Sequence, residues 1–261
     1  MPLIEIETNG KIGELILNRP EKLNAFHAEM LDAFEEALNI LASNEDVSCV
    51  IVRGAGRAFS VGHDMRESAR AASAYEDWHN LRNEVRALSC VLECPKPVVA
   101  CVHGYCMGMA MIVAACSDIT IVDANAEITW PQLPLGGGLL GPMSTWLIGP
   151  KKAAEFSFIP GSTMSGTEAA ELGWANYAVP SDEVLDKARE IARRICATPA
   201  GLLRVKKLAL KRVLLSLGLR EVLDDGALWD ALTHTEPGVV GLSRTVRKVG
   251  FKQAIADLGK A

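Results

Sequence analysis

The chain is expected to fold as an α/β protein whose C-terminal part is helical. Three observations predict this. Short, almost wholly apolar runs at residues 49–52, 98–102 and 119–122 read as strands buried on both faces. Segments with helical apolar spacing separate them. Beyond about residue 141 the pattern turns mainly helical, so strands and helices alternate first and helices dominate later.

Taken in order, residues 4–7 and 12–17 read as two strands around the turn Asn9-Gly10. Residues 27–42 read as an amphipathic helix, with Met30, Leu31, Phe34, Ala37, Leu38 and Leu41 on one face. A buried strand at 49–52 leads into a glycine-containing loop, 54–64. A helix is expected over 74–92, a strand over 98–102, a buried helix over 108–116, a strand over 119–122 and an extended piece near Ile128. Residues 131–141 form a Gly/Pro-rich loop. Ser165 and Glu168 have the spacing of a capping box. Residues 182–197 and 202–217 are long periodic helices, and 220–258 is helical with breaks at Pro237 and Gly250. A core of residues 1–197 and a helical region of 198–261 are the expected divisions.

Bulk properties exclude several classes. The 261 residues carry a net charge of −5 with the two signs interspersed, unlike the basic face of a nucleic-acid binder. Lys206, Lys207, Lys211 and Arg212 read as a solvated helix face. The seven cysteines are an odd number scattered through apolar stretches, which suggests reduced buried thiols in a cytoplasmic protein rather than disulfides or a zinc site. The N-terminus lacks a signal pattern. Residues 98–116 are apolar enough to suggest a membrane span, but His103, Gly104 and Gly108 divide them into a strand, a turn and a helix. No membrane partner is expected.

Two glycine motifs carry the chemistry. Residues 58–64 (AFSVGHD) follow a strand, and Gly62 before His63 allows a sharp turn that aims a backbone N–H outward. Residues 103–110 (HGYCMGMA) lead into a buried helix, whose N-terminus offers unpaired N–H groups. Two donors converging on one point would stabilise an oxyanion. Taken singly, either motif is a weak signal that reads more readily as a tight turn.

In this order and spacing the motifs resemble those of the crotonase (enoyl-CoA hydratase/isomerase) superfamily. The likeness begins at Leu17-Asn18-Arg19-Pro20 and Asn24-Ala25. It runs through 58–64 and 96–118 and takes in 165–173, which matches the family's S-x-x-E-A-x-x-x-G stretch. The resemblance implies a spiral of ββα units with C-terminal helices that pack a homotrimer or a dimer of trimers. It implies an acyl-CoA substrate that brings its own coenzyme A, with no other cofactor and no metal. It places the oxyanion N–H groups at His63 and Met109. It gives Lys22, Leu23 and Ala25, with Ser60, Gly62 and Asp64, to the CoA, Lys22 for the ribose phosphate. Gly108, Ile112, Trp130 and Gln132 would line the acyl pocket, Trp130 serving equally as a core side chain.

The chain departs from the family at the chemistry. Hydratases of the family activate water with two glutamates, and here those positions hold Ile112 and Gln132. An amide can orient water but cannot take its proton. The glycine-rich stretch at 135–141 lacks the context of a dinucleotide fingerprint. The tail, residues 251–260 (FKQAIADLGK), lacks the basic F-x-E-K-R-like ending that reaches CoA in many relatives. His63 remains as a group that titrates near neutrality. His79 and Glu84 lie on the helix that would line the acyl pocket. Glu127 and Asp123 fit strand-end roles better, and Cys106 fits an inert buried thiol. The expected function is therefore an acyl-CoA enzyme working through an enolate or tetrahedral oxyanion, in hydrolysis, decarboxylation or retro-Claisen cleavage. The alternatives are a catalytically silent acyl-CoA binder and a purely structural subunit.

Overall fold

The computed structural model describes residues 2–64, 71, 73–129, 136 and 140–258. Trp130 and Gln132 lie outside the described residues.

A six-stranded sheet and a three-stranded sheet organise the chain. The larger sheet runs in the order β1 (Ile4–Asn9), β2 (Ile12–Leu17), β3 (Cys49–Gly54), β4 (Val98–Val102), β6 (Ile119–Asp123) and β9 (Tyr177–Val179). Only β1 and β2 pair antiparallel, through the Asn9-Gly10 turn. The other neighbours are parallel. The smaller sheet holds β5 (Tyr105–Met107), β7 (Glu127–Thr129) and β8 (Thr163–Ser165). Isolated parallel bridges extend it, Phe26 to His63 and Ser60 to Cys106.

These bridges make the repeat visible. The chain lays a strand in the large sheet, crosses to a short extended piece in the small layer, then returns through a helix. It does so at β2, Phe26 and α1 (Ala28–Ser43), again at β3, the 60–63 segment and α2 (Ala74–Glu93), and again at β4, β5 and α3 (Ala110–Cys116). This is the expected spiral of ββα units. The interior strands β3 and β4 are buried at nearly every position, which is why they read as continuous apolar runs. On α1 the buried residues are Met30, Leu31, Phe34, Ala37, Leu38 and Leu41, the face expected from their spacing.

The main core lies between the large sheet and α1, α2 and α3, and the other face of the sheet is closed by α6 (Val184–Cys196). One buried charge crosses that second layer. Glu14 of β2 accepts from Arg53 Nε at 2.8 Å and Arg189 Nε at 2.6 Å. Burial opposes the charge of Glu14, but the two guanidinium groups outweigh it and hold the carboxyl below its usual range.

The remaining helices are α4 (Leu140–Phe158), broken by the left-handed Gly149 before Pro150, α5 (Gly166–Leu172), α7 (Ala200–Ser216), α8 (Leu219–Thr233), α9 (Pro237–Val249) and α10 (Phe251–Leu258). α5 starts with the expected capping box, in which the Ser165 hydroxyl accepts from the Glu168 N–H and Glu168 accepts from the Ser165 N–H. The apolar run 98–116 resolves into β4, β5 and α3. Among the described residues no helix is long and apolar enough to cross a membrane.

The basic cluster on α7 is not uniformly solvated. Lys207 is 5% exposed, and its Nζ donates to Val91 O, Lys96 O and Asp118 Oδ2 at 3.0, 2.9 and 2.7 Å. It bolts the C-terminal helices to the end of α2. Lys207→Met should lower stability by about 2 kcal/mol, since it strands two carbonyls and a carboxylate. A lowered urea midpoint with unchanged slope would register the loss.

Candidate functional site

The two glycine motifs meet at the small sheet. Ser60 bridges to Cys106, its N–H donates to Tyr105 O at 3.1 Å, and its carbonyl accepts from Met107 N at 3.1 Å. Gly62 sits against the second motif with φ +82°. A Cβ at this position would lie 2.5 Å from Met107 O and 3.0 Å from Met109 N. Only glycine fits that approach. The consequence is that the Met109 backbone N, at the start of α3, lies beside the Gly62–His63 peptide. Gly108, with φ +52°, donates its own N–H to Thr129 O at 3.1 Å. The Met109 N–H meets no acceptor among the described residues.

The first motif is braced from the N-terminal side. The Asn24 amide, fully buried, donates to Ala55 O, Ala58 O and Phe59 O at 2.9, 2.8 and 3.1 Å, and its Oδ1 accepts from Arg19 N at 2.9 Å. Leu23 and Asn24 both take left-handed backbone, φ +53° and +56°. Asparagine tolerates that region best among residues with a side chain, and the tight corner is stabilised by these bonds. Val61 N donates to Leu23 O, Phe26 N to Gly62 O, and Asp64 N to Phe26 O. Residues 23–26 and 60–64 are thus stitched together.

Two side chains placed by sequence at the CoA serve the brace as well. Ser60 Oγ donates to Asn24 O at 2.7 Å and accepts from Gly62 N at 3.1 Å. Asp64 forms a buried ion pair with Arg19, Nη1 to Oδ2 at 2.7 Å, and the same Nη1 donates to Ala25 O. Lys22 is exposed, Leu23 half-buried and Ala25 buried. Ile112, on α3 one turn past Met109, is fully buried within the main core.

His63 is half-buried, and its ring faces α2. Its Nδ1 lies 3.2 Å from Glu84 Oε2, an oxygen shut off from solvent and without an in-line hydrogen-bond donor. Burial favours the neutral ring, but the contact with Glu84 and its charge outweigh it. Asp64 adds to the effect and His234 opposes it. The net result is an imidazole that holds its proton above the ordinary range. His234 in turn pairs with Asp77 of α2, Nδ1 to Oδ2 at 2.7 Å. Spacing does not reveal these pairs, because His63 and Glu84 belong to different elements; the signals are the type of His63 and the place of Glu84 on the helix expected beside the acyl pocket.

Other candidates separate from the site. His79 and Glu127 are exposed, and Asp123 is buried and caps its own turn by accepting from Asn125 N. Cys106 is fully buried, and burial pushes its thiol well above the usual range, so it offers no thiolate. Among the described residues no group of His, Cys, Asp or Glu could hold a metal.

Comparison with known proteins gives one answer. A family model described as enoyl-CoA hydratase/isomerase matches residues 7–253. A probable enoyl-CoA hydratase of Mycobacterium bovis is 28% identical, the match covering 94% of this chain and 95% of that one. A short-chain-enoyl-CoA hydratase of Clostridium acetobutylicum is 29% identical over 79% of this chain and 80% of its own. The solved structure of an enoyl-CoA hydratase/isomerase from Xanthobacter autotrophicus superposes with a TM-score of 0.90 at 33% identity, covering 98% of this chain and 96% of that one.

Proposed function

Since the chain belongs to the enoyl-CoA hydratase/isomerase family, we propose that it is an enzyme acting on an acyl-CoA thioester, whose carbonyl oxygen is held by the backbone N–H groups of His63 and Met109. The observation that carries this reading is the approach of Gly62 to within a Cβ's reach of Met109 N. It sets the peptide that carries the His63 N–H beside a backbone donor at a helix start. Donors fixed before the reaction need no reorganisation as negative charge develops on the oxygen.

The reaction is not the two-glutamate hydration of the family's hydratases. Ile112 has no ionisable group and Gln132 has no proton-accepting one at neutral pH. Reactions through a thioester enolate or a tetrahedral oxyanion fit instead: hydrolysis, decarboxylation and retro-Claisen cleavage. Coenzyme A arrives with the substrate, beside residues 22–25 and 60–64. The same two substitutions motivate a second reading, a silent acyl-CoA binder. A panel of saturated, enoyl-, 3-oxo- and carboxyacyl-CoA thioesters, followed by thioester absorbance and thermal shift together, separates them. Consumption of a stabilising thioester supports the enzyme. Stabilisation without consumption across the panel supports the binder.

We further propose a homotrimer or a dimer of trimers, working in the cytoplasm with its seven thiols reduced. α7 supports the assembly. Its only buried residues are Leu203 and Lys207, while Leu202, Val205, Leu208 and Val213 stand in solvent. A helix apolar on several faces and unburied within its own chain calls for a partner surface. Val205→Glu with Leu208→Glu should convert the assembly to monomer in multi-angle light scattering. A wild-type monomer would contradict this reading.

A further inference from the structure

Building on the thioester site proposed above, we infer that the His63 imidazole is its proton-transfer group, and that Glu84 is the positioning residue that orients and charges that ring.

The geometry is local. Nδ1 of the ring is four covalent bonds from the His63 backbone N, so the two atoms are within about 5 Å of each other. An oxygen bound at that N–H therefore brings the neighbouring α-carbon within reach of the ring. Glu84 sets a negative charge beside the ring. Its Oε2 lies 3.2 Å from Nδ1, on α2, in a position closed to solvent. A carboxylate oxygen closed to solvent beside an imidazole stabilises the imidazolium. Ile112 and Gln132 leave the usual carboxylate positions without a base, and His63 stands at the oxyanion loop itself.

The step balances without an added oxidant or cofactor. The lone pair of the neutral imidazole takes the proton from the carbon next to the thioester. The C–H electron pair becomes the C=C bond of the enolate, and the carbonyl π pair moves to the oxygen held by the two N–H groups. The proton then returns from the imidazolium to carbon, at the same position or, in a conjugated acyl group, two carbons along. In D₂O the returning ion is a deuteron.

Among the described residues, the charged groups that act on His63 are Glu84 of α2, Asp64 of its own loop with Arg19 as its ion-pair partner, and His234 at the end of α8, itself paired with Asp77 of α2. Glu84 and Asp64 raise the ring's proton affinity and His234 lowers it. Base catalysis needs the neutral ring, so exchange rises with pH through the His63 titration. Removing the Glu84 charge moves that rise to lower pH and lowers the plateau, because a weaker base remains.

The test is α-proton exchange of butyryl-CoA and acetoacetyl-CoA in D₂O, read by mass spectrometry, beside thermal shift with the same thioesters. Wild type should exchange both. His63→Gln keeps the backbone N–H and should still be stabilised, yet exchange about 100-fold more slowly or less. Glu84→Gln should slow exchange about 10-fold and shift the pH rise downward. Wild-type exchange by His63→Gln, or an unmoved pH profile in Glu84→Gln, overturns the respective role. Stabilisation of wild type without exchange of either thioester overturns the dyad and leaves the binding site standing. No stabilisation by any thioester removes the site, and the dyad with it.

Discussion

Gly62→Ala should abolish thioester processing while leaving most of the fold intact. The added Cβ would stand 2.5 Å from Met107 O and 3.0 Å from Met109 N, on a backbone with φ +82°. Two costs combine. Left-handed backbone penalises any Cβ by about 1 kcal/mol, and the steric conflict forces the 60–64 segment off β5. Displacing one preformed donor from a developing oxyanion lowers turnover by about 100-fold or more. Gly10→Ala is the control. Its φ is +57°, but a Cβ there meets nothing within 4 Å. It should show the conformational cost in thermal stability and no change in turnover. Equal activity of Gly62→Ala and Gly10→Ala would contradict the placement of the site.

Asp64→Ala should cost about 3 kcal/mol, because it removes the buried carboxylate that meets the Arg19 cation. The two side chains are only 7% and 8% exposed and meet at 2.7 Å. Arg19 also holds Ala25 O, so the loss should reach the 22–26 segment and weaken thioester binding before it slows chemistry. The readouts are the urea midpoint and the separate changes in KM and kcat. The double variant Arg19→Met with Asp64→Leu should regain much of the stability, since a buried pair replaced by apolar groups of similar size is often neutral. It should not regain tight binding. A double variant as unstable as the single one would show that Asp64 acts through something other than Arg19.

The contrast between these predictions marks what the sequence discloses. Strands β3, β4 and β6 were legible because each is an apolar run, buried at nearly every position, and β1 and β2 because they flank the Asn9-Gly10 turn. The α1 face was legible because burial follows helical spacing. The three-residue strands β5, β8 and β9 were not, because so short an extended piece is defined by its partner and not by its own pattern. β5 in particular falls inside a stretch that reads as a glycine turn before a helix.

The site divides in the same way. Gly62 and the N-terminus of α3 could be found in the sequence, since a glycine before a polar residue and a helix start each imply backbone donors. The brace could not. Arg19 finds Asp64 across 45 positions, and Asn24 finds Ala55, Ala58 and Phe59 across 31 to 35. Lys207 reads as one of four surface cations and is instead a buried bolt, because its three acceptors come from residues 89 to 116 positions away. Glu84 carries no local signal that it will face His63. Charge pairs of this kind arise from the way α2 packs, which periodicity alone does not encode.

The most direct measurement is a crystal structure with a non-hydrolysable acyl-CoA analogue that retains the carbonyl oxygen. The carbonyl oxygen should lie within about 3.2 Å of both the His63 and Met109 nitrogens, with the CoA running past residues 22–25. A bound analogue whose carbonyl contacts neither nitrogen would contradict the account.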